Sequence, residues 1–233
     1  GAEVACDAKV GGIVVLAAQQ PAIQCGAPLA ATGQGGLPQC GVVDAVGAVI
    51  APGHQGVELA LRVGENFVGD PVGFGRPITE TLRWFSQSGA VDLTRQVPEQ
   101  LNQDRISLAF ERPGTQLIAL DTKPFTVTLA ADTFNAYLRE EGLERVMAQR
   151  TAAGQDTRPG RERYRRHVKT LLSVGGQSDA SFGVRAGQTL EIVPLTDPQR
   201  LQPGGALALQ VLFNGQPLQG ALVKVWNQRG AQL

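Results

Sequence analysis

The chain has 233 residues, enough for one large domain or two small ones, with 42% apolar residues, 18% charged residues and no net charge. That neutrality gives no overall field to attract nucleic acid or an acidic partner. No apolar run reaches the roughly eighteen residues of a membrane-spanning helix, and no basic stretch leading into an apolar core at the start reads as an intact signal peptide.

Residues 1–56 differ from the rest: they hold no aromatic residue and no arginine, and are rich in Gly, Ala, Val, Gln and Pro. Short apolar runs such as Gly12–Leu16 and Val42–Val46 show neither clean alternation nor helical spacing. Three readings stand for this segment: a poorly ordered tail or linker, a strand-bearing part of the domain, or a stretch translated in a shifted reading frame. The coding DNA decides the last. All three cysteines, Cys6, Cys25 and Cys40, fall here, with no Cys-x-x-Cys pair and no neighbouring histidine, so a zinc site is not indicated.

From Val57 the pattern changes. Val57, Leu59, Leu61 and Val63 alternate with Glu58, Ala60 and Arg62, the period of a strand with one buried face. Residues 64–71 read as a loop, in which Glu65 and Asp70 are carboxylates of the kind that bind hard cations or simply face water. Residues 82–87, a Ser88-Gly89 turn and 90–93 read as a hairpin. Strands over 106–111, 116–121 and 125–129 follow, separated by Gly and Pro. Short strands at this spacing predict an antiparallel β-sandwich, with Trp84, Phe85, Phe110 and Phe125 in its core rather than in a ligand platform.

A helical insertion is expected over 132–174. Asp132 or Thr133 would cap the first helix, Phe134, Tyr137 and Leu138 would form its apolar face, and Gly142 would break it before a second run from Leu143. A further helix is expected over 159–173, opened by Pro159 and stopped by Gly175-Gly176. Tyr164, Val168, Leu171 and Leu172 would share its buried side. Its basic residues, among them Arg161, Arg163, Arg165 and Arg166, would make a solvated face or a contact for a phosphate-rich or acidic partner. Tyr137, Tyr164 and Leu171 should be buried, with Arg163 and Arg166 exposed. His167 is the only histidine outside the N-terminal segment. The pair Glu140-Glu141 is not an acid–base couple, because adjacent helical residues point about 100° apart.

Residues 189–195 and 207–213 read as strands. Asn214-Gly215 is a strong hairpin signal, with a return strand expected through Trp226. The pattern Asn214-Gly215-Gln216-Pro217-Leu218-Gln219-Gly220-Ala221-Leu222-Val223 resembles the opening of Cna-B-like and prealbumin-like sandwich modules. The expected organisation is therefore an atypical segment over 1–56, a mainly β domain over 57–198 with its helical insertion, and the opening strands of a second, truncated module over 199–233.

Three stretches, Phe134-Asn135-Ala136-Tyr137-Leu138-Arg139-Glu140-Glu141-Gly142-Leu143, Gly160-Arg161-Glu162-Arg163-Tyr164 and Lys169-Thr170-Leu171-Leu172, resemble a NikM-like periplasmic family. That family is described as a component of nickel and cobalt uptake, and the resemblance covers about residues 57–229. It implies a periplasmic or secreted β-sandwich, with a metal-transport membrane complex or an envelope component as partner and nickel or cobalt as ligand. The family's His-Asp motif, its best metal-ligand candidate, is absent here. The remaining metal candidates are His54 and His167, far apart in sequence. No nucleophile, base or cofactor motif supports an enzyme; no Gly-x-Ser-x-Gly elbow occurs. The expected function is a non-enzymatic accessory protein of nickel or cobalt uptake, or alternatively a β-sandwich module that binds an envelope polymer or membrane protein. Weak or no nickel and cobalt binding is expected.

Overall fold

The computed structural model describes residues 2–7, 16–22, 41–45, 57–65, 68–103, 105–221 and 223. In chain order its strands and helices are β1 (Ala2–Asp7), β2 (Leu16–Ala22), β3 (Gly41–Ala45), β4 (Val57–Glu65), β5 (Val68–Pro71), β6 (Thr79–Ser86), β7 (Gly89–Asp92), β8 (Arg105–Leu108), β9 (Gly114–Thr122), β10 (Phe125–Leu129), α1 (Ala131–Glu140), α2 (Glu144–Ala152), β11 (Gly160–Val174), β12 (Leu190–Pro194), β13 (Pro203–Phe213) and β14 (Gln216–Pro217). The chain is mainly β with a helical insertion, as its alternating segments require. No helix among the described residues is long and apolar enough to cross a membrane.

Two compact units divide the described residues. The larger takes those up to Gln19, from Gly41 to Lys123 and from Arg166 onward; the smaller takes 20–22 and 124–165.

In the larger unit, β4 is the centre of one antiparallel sheet. It pairs with β3 on one side and with β5 and β8 on the other. A second sheet runs from the later half of β11 through β9 and β6 to β7. The two sheets enclose the main core. Val57, Leu59 and Leu61 of β4 and Ile106 and Leu108 of β8 meet Leu82, Ile118, Leu120, Val168 and Leu172 of the second sheet, with Phe74 and Phe110 filling between them. Burying each large apolar side chain is worth about 1.5–3 kcal/mol, so this interior fixes which strand faces turn inward.

All nine residues of β9 are buried, so both of its faces are covered. Its even-numbered positions, such as Ile118 and Leu120, join the main core. On the opposite face Leu117 and Ala119 pack with Ala186, Val184, Phe85 and Leu171. The segment 178–188 thus roofs the second sheet. Trp84 and Phe110 are core neighbours at 5.3 Å, edge to face, and Trp84 donates its indole N–H to Gln116 at 2.8 Å.

A third sheet has the order β1-β13-β12, with β14 also on β13. Ile192, Leu207 and Leu209 form its apolar cluster. Asn214 and Gly215 both have positive φ, 49° and 74°, as a two-residue hairpin turn with the native twist demands. The return strand is shorter than expected: β14 ends at Pro217. Residues 222 and 224–233 lie outside the described residues.

In the smaller unit, α1 lays Phe134, Tyr137 and Leu138 against Leu129, with Val127, Leu143, Val146 and Met147 around them. The expected caps are not used: the residue before α1 is Ala130, with no side-chain cap bond, and Asp132 sits in the first turn, where a carboxylate favours the helix dipole. The expected break at Gly142 is present. Its φ is +66°, and the amides of Gly142 and Leu143 bond back to Arg139 and Leu138, the paired closure that needs a left-handed residue at this place. Arg150 in α2 is buried. Its guanidinium donates to the Gln155 and Arg158 carbonyls at 2.8 Å each and lies 4.8 Å from the Phe134 ring centre.

Two expectations are corrected. The loop over 64–71 is a hairpin arm: β4 continues to Glu65, and Val63↔Asp70 and Gly64↔Gly69 are ladder pairs. Glycine and aspartate in the segment hid a short ladder. The larger correction is the helix over 159–173, which is strand β11. Tyr164, Val168 and Leu172 are four apart, and four is a multiple of two, so they share a face in a strand as in a helix. Leu171 separates the two cases, and it packs on the opposite face with Leu117 and Ala119. Alternation of exposed Arg161, Arg163 and Arg165 with buried Gly160 and Glu162 is the strand period. Tyr164 and Leu171 are accordingly half-buried, Tyr137 is buried, Arg163 is exposed and Arg166 is half-buried.

Candidate functional site

The buried ionisable groups of the larger unit gather under the roof segment. In the ladder register Thr81 of β6, Asp121 of β9 and His167 of β11 are direct neighbours across three strands. Two residues along, Arg83, Ala119 and Lys169 form the next row. Strand pairing therefore sets side by side residues that the sequence separates by 36 and more positions.

Asp121 is the hub. Its Oδ1 accepts from His167 Nδ1 at 2.7 Å and from Gln188 Nε2 at 2.8 Å. Its Oδ2 accepts from the Thr81 hydroxyl at 2.8 Å and from Arg83 Nη2 at 3.0 Å. Burial pushes its pKa up, but the His167, Thr81 and Gln188 hydrogen bonds, with the His167 charge, outweigh this and hold the carboxyl below the usual aspartate value. A carboxylate offers about four lone-pair sites, and four donors occupy them. Gln188 ties the roof to the sheet as well, donating to the Leu120 carbonyl at 3.1 Å.

Lys169 and Glu191 make the second buried pair, Nζ to Oε1 at 2.5 Å. Glu191 also accepts from the backbone N–H of Ala186 at 2.5 Å and of Gly187 at 3.0 Å. Burial pushes the Lys169 ammonium down, opposed by its bond to Glu191. With every oxygen engaged by the fold, these carboxylates lock the roof segment onto β9 and β11.

Of the expected metal candidates, His167 is in this cluster with Nδ1 committed to Asp121. His54 lies outside the described residues, so the structure does not bring the two together. Asp70 is exposed on β5, and the Glu65 side chain lies outside the described residues. Cys25 and Cys40 lie outside them too, and Cys6 is placed only as backbone of β1. Among the described residues no group of three His, Cys, Asp or Glu side chains is placed to hold a metal ion. His167 and Asp121, the pair with the right chemistry, do not fit that task, because Asp121 is already saturated. Glu140 is exposed at the end of α1 and Glu141 follows it half-buried.

Sequence reasoning singled out only His167 of this cluster. Thr81, Arg83, Asp121, Gln188 and Glu191 carry no motif, Lys169 stands only in the family-like stretch Lys169-Thr170-Leu171-Leu172, and their meeting depends on register. Elsewhere, a groove of about 320 Å³ has both polar residues, among them Glu58, Gln103 and Arg105, and the apolar Ile106 and Leu108 in its lining, with Arg105 and Glu58 paired at 3.0 Å and both exposed.

No curated protein and no solved structure matches the chain. A family model described as a domain of unknown function, DUF4198, matches residues 43–232, from β3 through the C-terminal segment. The chain therefore belongs to the DUF4198 family.

Proposed function

We propose that this protein is a non-enzymatic interaction module of the cell envelope that binds an envelope polymer or a membrane-protein partner. The observation that carries the proposal is the saturation of Asp121. The histidine–carboxylate pair, which elsewhere would suggest acid–base chemistry, has its carboxylate filled by four internal donors. Its work is to hold three strands and a roof together. The periplasmic or secreted location follows from the NikM-like resemblance. Titration of the full chain with a panel of envelope polymers, both charged and neutral, tests the reading. Saturable binding to one of them is expected; no binding to any, with turnover of a small substrate instead, contradicts it.

Delivery of nickel or cobalt to a transport complex is the second reading. It rests on the same resemblance and would need ligands from His54 or the cysteines. Calorimetry separates the two: binding weaker than micromolar is expected, since such sites combine imidazole with thiolate or carboxylate in fixed geometry. Sub-micromolar nickel binding that is lost in His54→Ala would favour delivery.

A further inference from the structure

In the smaller unit, β10 pairs with the first half of β11, and β2 also pairs with β11. Thr126 pairs with Arg163 and Thr128 with Arg161, and paired positions share a face. By alternation Arg165 joins them. All five side chains are exposed. The other face carries Val127, Leu129, Gly160 and Glu162 and is covered by Phe134, Tyr137 and Leu138 of α1. The arginine face is thus the outward one.

The strand conformation creates this face. On a helix, residues two apart point about 200° from one another; on a strand they align, about 6.6 Å apart. Three guanidinium groups therefore stand in a line about 13 Å long. The unit's stretch 124–165 holds seven arginines and six carboxylates, so it is nearly neutral. Its carboxylates are placed elsewhere. Asp132 is on α1, Glu140, Glu141 and Glu144 are around the helix junction, Asp156 is in the following loop, and Glu162 is on the covered face. Among the described residues the side chains of Arg161, Arg163 and Arg165 make no hydrogen bond or ion pair. Three like charges in a row without a counter-charge are mutually repulsive until an anion binds.

We propose that this face binds a linear anionic polysaccharide, its sulfate, phosphate or carboxylate groups taken in turn by Arg161, Arg163 and Arg165. The inference rests on the interaction-module reading and names the partner's chemistry. Guanidinium forks bind such groups bidentately, and Thr126 and Thr128 offer hydroxyl donors beside them. The face has no aromatic side chain, whereas single-stranded nucleic acid needs rings on which bases stack. It has no large apolar side chain, whereas surface insertion into a bilayer needs an apolar face.

The test is titration of the full chain with heparin as the sulfated probe, polygalacturonate as the carboxylate probe and dextran as the neutral one. Saturable heparin binding that weakens steeply with salt is expected, with dextran inert. R161Q/R163Q should weaken it by about tenfold or more, the scale of charged hydrogen bonds lost. R139Q/R145Q, which removes two exposed arginines of the helices, should change it less than about twofold, as for distant screened charges. Both variants should melt like the parent, since they change exposed side chains. Equal losses in the two double variants would overturn the proposal, as would tighter binding to oligo-dT or to phosphatidylglycerol vesicles than to heparin at equal salt. Binding to dextran alone would overturn it while leaving the interaction-module reading intact; binding to no polymer would overturn it and leave that reading only its membrane-protein partner.

Discussion

Asp121 and His167 are ladder partners on adjacent strands, and the carboxylate of one accepts from the ring of the other at 2.7 Å. Their side chains are nearly closed to solvent, and the roof residue Gln188 donates to the same oxygen at 2.8 Å. The pair therefore joins β9, β11 and the roof at one point.

Asp121→Asn should destabilise the protein by about 3 kcal/mol or more, the cost of removing one partner of a buried charged pair. The amide brings its own N–H donors against His167, Arg83, Thr81 and Gln188, all of which donate to the carboxylate. His167→Ala should cost less, about 1–3 kcal/mol, because three donors to Asp121 remain. Urea unfolding followed by tryptophan fluorescence measures both, since Trp84 lies in the adjoining core.

Acid should expose the same group. Asp121 titrates below the ordinary 3.8 in the folded chain. Its contribution is complete above the unfolded value, diminishes as pH falls below about 3.8 and is gone once pH passes the lower folded value. Asp179 is shifted in the same direction: burial pushes it up, but hydrogen bonds from Ser181 and Thr115 outweigh this. The difference between parent and Asp121→Asn stability, followed from pH 5 to about 2, isolates Asp121; it should shrink toward low pH.

Gly114→Ala should destabilise by about 1–3 kcal/mol. Gly114 opens β9 with φ +122°, and a Cβ there would run into the Asp179 carboxylate. That carboxylate accepts from the amides of Thr115 at 2.9 Å and Ser181 at 2.8 Å, so the clash loosens the roof where it meets the strand. A melting curve checks the loss, and Gly204→Ala is a contrast, with positive φ but open space around its Cβ.

Gly160→Ala should free the helices of the smaller unit first. A Cβ at Gly160 would overlap the Phe134 ring, and overpacking of this kind costs about 1–3 kcal/mol. Faster amide exchange over 131–152, with exchange in β9 unchanged, is the expected pattern.

The strands around β4, β6, β9 and β13 were legible because each carries a period-two pattern or a turn signal, as Asn214-Gly215 does. The helices were legible from Phe134, Tyr137 and Leu138, although their caps were not. β11 was misread because Tyr164, Val168 and Leu172 satisfy both periods, and only the arginine alternation and Leu171 distinguish them. The Asp121 cluster was not legible apart from His167. Thr81, Asp121 and His167 come together through the register of three strands, and nothing local in the sequence specifies that register. The arginine face was visible as a basic run but lost its geometry when placed on a helix.

The most direct measurement pairs the melting temperature of Asp121→Asn with its heparin affinity, both taken on fully folded protein. The expected result is a melting temperature lowered by several degrees, about 3 °C or more for a loss of this size, with unchanged affinity; R161Q/R163Q should show the opposite. An Asp121→Asn protein that melts like the parent and has lost binding would contradict the reading, for Asp121 would then serve a ligand and not the fold.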